Sequence, residues 1–304
     1  MNNANALNRS AALASIAVAL LLVGLKVWAV FATGSTAMLG SLADTALDLV
    51  ASLATLIGVW VAAQPADEKH RFGHGKAEAL AAMFQVVLIS ISAIGIAFRA
   101  VDQWLAGARP EAAEGGIVVS VIAMAATFAL LAWQRYVIRQ TKSLAISTDH
   151  VHYQSDLLLN LAVIAALALD SYAGISGADP LFGLAIALWL GWGAWGASQE
   201  AVKQLMDHEW PEDRRAAFLE AVARHPEIKG LHDLRTRTSG NRDFVQFHLA
   251  VDPDMTIREA HVVMDEVEAI LHREFPGLEI LIHPDPVGHV DPKDLSSEEL
   301  LNRG

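Results

Sequence analysis

Hydrophobic positions fall into long unbroken blocks over the first two thirds of the chain and into short periodic groups over the rest. Residues 10–25, 27–43, 49–66, 79–98, 115–134 and 180–199 contain no Asp, Glu, Lys or Arg. Several of these blocks approach the length that a helix needs to cross a bilayer core, about 20 residues. Thr33-Gly34-Ser35-Thr36 separates the first helix from the second, and a further helix is expected over about 145–169, interrupted by His150, His152 and Asp156. The pattern predicts six spans, over about 11–32, 36–62, 79–104, 115–137, 145–169 and 178–200. Past residue 207 the periods shorten. Ala216, Leu219 and Val222 keep helical spacing within 212–224, and 231–238 reads as a strand closed by a turn at Ser239-Gly240-Asn241. Val245, Phe247, Leu249 and Val251 alternate, as in a half-buried strand over 244–251. Asp254 and Thr256 can cap a helix running to about Phe275, and 278–282 is a last short strand. The expected chain is an α-helical membrane protein with a six-helix transmembrane domain at 1–207. A small α/β domain (αββαβ, ferredoxin-like) follows at 208–290, and a flexible tail occupies 291–304.

Composition agrees with this division. The 304 residues are 53% hydrophobic and 18% charged, against about 25% charged in an ordinary soluble domain. Mean hydropathy is +0.34. Residues 1–207 hold 14 acidic and 11 Lys/Arg side chains, and residues 208–304 hold 20 and 11, so most of the net charge of -12 lies in the tail domain. That charge argues against a nucleic-acid partner, which needs a basic face. The absence of cysteine excludes disulfides, iron–sulfur clusters and thiolate metal sites. The N-terminus lacks a basic start and a small-residue cleavage site, so the first span is expected to be retained. Lys69, Arg71 and Lys76, then Arg135, Arg139 and Lys142, then Lys203 fall on one side of the predicted spans, with Arg99 and Arg109 against the trend. The positive-inside rule makes that side, and both termini, cytoplasmic. Lys26 is expected to snorkel toward the outer face.

Ionisable residues inside spans are costly and mark function. Asp44 and Asp48 lie in the second span and His152 and Asp156 in the fifth, each pair four residues apart and so on one helix face. Together they offer three carboxylates and one imidazole, an oxygen/nitrogen set suited to tetrahedral Zn(II) and unsuited to soft metals. On residues alone the set specifies a divalent metal of borderline hardness, with polar contacts between helices as the structural alternative. Because such ligands bind metal only when deprotonated, protons compete for the site and exchange becomes natural. With three ionised aspartates the empty site carries -3, and one Zn(II) leaves -1. Two other classes fit the residues less well. A membrane metalloenzyme would need an open site with a general base, such as His-Glu-x-x-His, and that motif is absent. A sensor without transport would have no need of four ionisable groups at membrane depth.

The Asp44-x-x-x-Asp48 and His152-x-x-x-Asp156 pairs resemble those of the cation diffusion facilitator family. The stretch from Gln64 to Glu78 is similar to the family's loop after its second helix, and His152-Tyr-Gln-Ser-Asp156 and Leu231-His-Asp-Leu-Arg-Thr-Arg237 match its bacterial zinc- and iron-efflux branch. The resemblance runs from about residue 7 to about 288. It implies a homodimeric metal/proton antiporter of the inner membrane, not an enzyme, that exports Zn(II) by alternating access, with Cd(II) and Fe(II) as further candidates. It implies that Asp44, Asp48, His152 and Asp156 are the transport site, one His among three Asp going with Zn(II) and Cd(II). Asp67, His70 and His74 form a loop metal site in the same reading; on residues alone, His70 and His74 are a loop pair flanked by Gly73 and Gly75. His232, His248, His261, His283 and Asp285 read either as solvated surface residues or, by resemblance, as a zinc cluster that tightens the dimer of cytoplasmic domains. The homodimer is implied to form through those domains and the membrane helices, with lipid and protons as the other partners. Lys76 and Asp207 match the family's interdomain charge pair. Pro284 departs from the pattern, standing where the resembling proteins carry glutamine; it keeps a carbonyl but loses an N–H. His150, His208, His225, His272 and His289 match no motif and are expected to be ordinary surface or interfacial histidines.

Overall fold

The structure is a computed structural model, and it describes residues 2–33, 36–106, 117–173, 178–288 and 301–302. The expected turn at Gly34-Ser35, Arg109, His289 and most of the tail 291–304 lie outside the described residues. The chain forms two compact units, 1–202 and 203–304.

The first unit is helical: α1 (Asn2–Thr33), α2 (Thr36–Ala62), α3 (Ala77–Ala106), α4 (Ile117–Thr141), α5 (Leu144–Ala173) and α6 (Ala178–Leu205), the last running into the second unit. Among the described residues, five helices are long and apolar enough to cross a membrane, namely α1 to α4 and α6. The helix over the expected fifth span, α5, is as long as α3, but it carries Asp149, His150, His152 and Asp156. α1 begins nine residues before the predicted span. Its polar first turns are built on hydrogen bonds rather than apolar burial: Ser10 Oγ donates to the Leu7 carbonyl and Asn8 Nδ2 donates to Glu78 Oε1.

Packing in this unit is inverted relative to a soluble protein. Large apolar side chains such as Trp28, Phe31, Phe98, Trp192 and Trp195 are exposed, while the buried positions hold Ala11, Ala12, Ala19, Ala82 and Ala145. Small residues at helix contacts let backbones approach where lipid offers no hydrophobic drive to associate. The extreme is Gly58 of α2: a Cβ there would overlap that of Ala81 in α3. Polar groups also turn inward. Asp149 is fully buried and accepts from Ser15 Oγ at 2.6 Å, Gln85 Nε2 at 2.9 Å and Gln134 Nε2 at 2.8 Å, which ties α5 to α1, α3 and α4. Gln85 also donates to Thr55 Oγ1 of α2, and Ser52 Oγ lies 2.8 Å from Tyr153 OH. Glu78 of α3 receives Ser143 Oγ at 2.6 Å and the Leu144 and Ala145 N–H groups, so it caps the start of α5 from another helix.

The second unit contains α7 (Glu212–Val222), β1 (Gly230–Ser239), β2 (Arg242–Val251), α8 (Ile257–Glu274), β3 (Leu278–Pro286) and β4 (Leu301–Asn302), with sheet order β3-β2-β1-β4. β1 and β2 form an antiparallel hairpin, and β2 pairs with β3 in parallel through α8. Thr256 opens α8 with a capping box: its hydroxyl accepts from the Glu259 N–H, and the Glu259 carboxylate accepts from the Thr256 N–H. The second contact holds the Glu259 carboxyl below the usual carboxylate range. The core lies between one sheet face and α7/α8, built on Phe218, Leu231, Phe247, Leu249, Val267 and Leu271. β3 extends four residues past the predicted strand, through Pro284. A proline is tolerated there because β3 is the outermost strand of the sheet and can leave one N–H position unused. Leu301 and Asn302 pair antiparallel with Leu231 and Gly230.

Candidate metal centres

Three groups of Asp and His side chains bring candidate ligand atoms within 4.8 Å of one another among the described residues. One lies in each of three settings: between helices, in a loop and across a sheet.

In the helical unit, His152 Nε2 of α5 stands 3.0 Å from Asp48 Oδ1 of α2 and 3.9 Å from Asp156 Oδ2. The i,i+4 spacing puts His152 and Asp156 on one face, and α2 meets that face. Asp44 is outside this trio but lines the same cavity, of about 680 Å³, with Asp48, His152 and Asp156. Three of the four expected ligands are thus drawn together and the fourth sits one helical turn away on an exposed position. Lys26 does not snorkel outward as expected: its Nζ donates to Thr45 Oγ1, and the side chain lines this cavity. A helical side chain leans toward the N-terminal end of its helix. A lysine near the end of α1 therefore reaches back into the bundle.

In the loop between α2 and α3, Asp67 Oδ1 is 3.2 Å from His70 Nδ1, Asp67 Oδ2 is 3.4 Å from His74 Nε2, and the two imidazole nitrogens are 3.1 Å apart. Backbone geometry explains the cluster. The N–H groups of Lys69 and His70 both donate to Asp67 Oδ1, at 2.8 and 2.6 Å. The His70 N–H above all holds the Asp67 carboxyl below its ordinary value. Gly73, at φ +80, turns the chain so that its N–H returns to the His70 carbonyl and His74 swings back onto Asp67.

In the sheet, strand register makes the cluster. His232 is directly opposite His248, and His248 is directly opposite His283, so three imidazoles form a row across β1, β2 and β3. The side-chain period of two then returns Asp285 to the same face. Asp285 is buried, with Oδ2 2.8 Å from His248 Nδ1 and 3.3 Å from His232 Nε2, and Oδ1 3.3 Å from His283 Nε2. A bulge in β1 between His232 and Arg235 puts Asp233 at φ +47, with Oδ2 3.7 Å from His248 Nε2. Asp233 was not among the expected ligands, since a bulge leaves no mark in residue spacing. His261 is not drawn in: it is 67% exposed on α8 and faces Asp265 at 3.9 Å. His283 is 63% exposed at the rim of the row.

Two histidines expected to be ordinary are not on the surface. His225 is buried with Nε2 2.8 Å from Glu266, and half-buried His150 has Nδ1 3.2 Å from Gln134 Oε1. Asp207 lies 3.5 Å from Arg237 within its own unit.

Comparison with known proteins gives the same two-part division. Residues 12–206 match the family described as the cation efflux transmembrane domain, and residues 210–287 match the cation efflux protein cytoplasmic domain. The cation-efflux pump FieF of Cronobacter sakazakii is 42% identical over 276 residues, covering 91% of this chain and 92% of that protein. FieF of Pectobacterium atrosepticum is 43% identical over 280 residues, covering 92% and 93%. Among solved structures, CzrB in its zinc form is 40% identical over 28% of this chain and 98% of that chain, with a TM-score of 0.25.

Proposed function

The chain belongs to the cation diffusion facilitator family of cation efflux transporters, and from that premise we propose that it exports Zn(II) in exchange for protons. The observation that carries the reading is the approach of His152 Nε2 to Asp48 Oδ1 across two helices of the membrane domain. Zn(II) enters from the cytoplasm, loads between Asp48, His152 and Asp156, and draws in Asp44 from the same cavity wall. The metal screens carboxylates that repel one another when the site is empty. The site then opens outward, and protons displace the metal and return with the inward-facing state. Harder cations lack a reason to prefer an imidazole, and soft ones find no sulfur, so Zn(II) is the expected cargo, with Cd(II) and Fe(II) as further candidates.

All six helices cross the inner membrane in this proposal, α5 included, with both termini in the cytoplasm. α5 is less apolar than the other five because its inward face carries the site and the Asp149 network. Two copies pair through the cytoplasmic domains and the membrane helices. The sheet row His232, His248 and Asp285, with His283 beside it, binds Zn(II) and tightens that dimer. Asp67, His70 and His74 take a further ion, and Lys76 with Asp207 forms the charge pair between domains. The αββαβ segment over 208–290 is the ferredoxin-like domain of this reading.

Reconstitution into liposomes with a zinc dye and a pH dye inside tests it. Zn(II) uptake should proceed with opposite proton movement and should vanish in Asp48→Ala. Uptake with no proton counter-flow removes the antiport, and normal uptake by Asp48→Ala removes the site.

A further inference from the structure

We propose that Lys26 is a tethered counter-cation of the transport site, which weakens Zn(II) binding and thereby speeds release. This inference deepens the transport reading and rests on it for its kinetic half.

An ammonium inside a bilayer is costly unless it meets compensating groups. Lys26 meets them in the cavity that holds the metal ligands. Its Nζ donates to Thr45 Oγ1, and Thr45 sits beside Asp44 and one turn before Asp48. The charges of Asp48, Asp156 and Asp44, the carboxylates of the site, act on it. A protonated lysine has three donors and no lone pair, so in its charged form Lys26 is not a ligand. Its effect is electrostatic and positional.

The charge arithmetic gives the effect a direction. In the deprotonated form that metal binding needs, three aspartates and a neutral His152 carry -3, and Lys26 makes the cavity -2. One Zn(II) then brings the cavity to neutrality instead of leaving it at -1. The cation therefore opposes the approach of a second one. It holds the carboxylates when the metal has gone, so the empty site need not collapse or fill with an adventitious ion before the return step. A site without Lys26 would bind more tightly and let go more slowly, which is the wrong balance for a transporter.

The experiment uses the full chain carrying Asp67→Ala and His232→Ala, so that the loop and sheet clusters do not contribute. Zinc alone is the probe, and equilibrium binding is read by competition with a chelating dye. Lys26→Gln keeps a hydrogen-bond donor for Thr45 and loses the charge. It should bind Zn(II) at least about tenfold more tightly, about 1.4 kcal/mol. Lys26→Arg should restore the original affinity. Thr45→Val keeps the charge and loses the hydrogen bond, and its affinity should stay within about twofold of the parent. The same variants in liposomes should show a lower KM and a lower kcat for Lys26→Gln alone. Unchanged or weaker binding by Lys26→Gln, or a Thr45→Val that reproduces it, overturns the proposal and leaves Lys26 as a helix-to-helix contact. A parent protein that binds zinc but does not carry it across the liposome overturns the transport reading, while the binding series still decides the role of Lys26.

Discussion

The cluster between α2 and α5 and the cluster on the sheet use the same chemistry and are held in different ways. Asp48 and His152 are 104 residues apart on separate helices. Among the described residues no backbone hydrogen bond joins one helix to the other, so the distance between these ligands changes whenever the helices slide or tilt. His232, His248 and His283 are locked by ladder pairing on either side of β2. Their spacing changes only if the sheet breaks. In the proposed transport reading, a helix-borne site can form and come apart within a cycle, while a sheet-borne site keeps its ion. Asp and His side chains would then serve cargo in one place and a resident metal in the other, and the difference lies in the secondary structure beneath them.

The largest expected effect falls on the helix-borne cluster. Asp48→Ala should reduce Zn(II) uptake in liposomes by about 100-fold or more, since loss of even an outer partner of a metal site costs about 10–100-fold. Zinc retained by the sheet should be untouched, as counted by metal analysis of the purified chain. Next in size is Asp149→Ala, which removes one buried acceptor from each of Ser15, Gln85 and Gln134 and leaves them only their second acceptors, the Ala11 carbonyl, Thr55 Oγ1 and Ser15 Oγ. A buried donor left short of a partner costs about 1–3 kcal/mol. The melting temperature in detergent should fall markedly, with Asp149→Asn intermediate, because α5 loses its ties to α1, α3 and α4. Asp285→Ala should lower zinc affinity at the sheet by about 10–100-fold while initial transport at saturating zinc persists; equal loss of both would show that the two clusters are one functional unit.

The smallest expected effect is on the loop. Asp67 has its carboxyl held below the ordinary value by amide hydrogen bonds. A depressed folded value means that the stabilisation is fully present above the unfolded value, about 4, and is lost as pH falls through the folded one. Protection of the Lys69 and His70 amides, taken against the intrinsic exchange rate at each pH, should therefore persist at pH 5 and fall only below about 4. Loss of protection already at pH 5 would mean that Asp67 is not what orders this loop.

Much of the site was legible because helical and strand periods are short. Residues i and i+4 share a helix face whatever the tertiary fold, so Asp44/Asp48 and His152/Asp156 announced themselves. His248 could be placed opposite the apolar row of β2 by alternation alone. The succession of elements along 212–282 and the Thr256 cap were readable for the same local reason. What could not be read depends on rotation and distance. Lys26 looked like an interfacial lysine, since nothing in residue spacing tells which way α1 is turned. Ser15, Gln85 and Gln134 are ordinary polar residues until packing brings them onto Asp149. Asp233 enters its cluster through a bulge. His261 shares a motif with the sheet ligands, but the single chain leaves it on the outer face of α8.

Gly58 carries one more consequence. Because its missing side chain is the space that Ala81 occupies, α2 and α3 touch backbone to backbone near the loop that joins them. The hairpin behaves as a stiff lever. In the proposed cycle, a swing of α2 that carries Asp48 away from His152 would pull on the start of α3, where Glu78 holds the first turn of α5. Opening of the cavity and uncapping of α5 would then be one stroke.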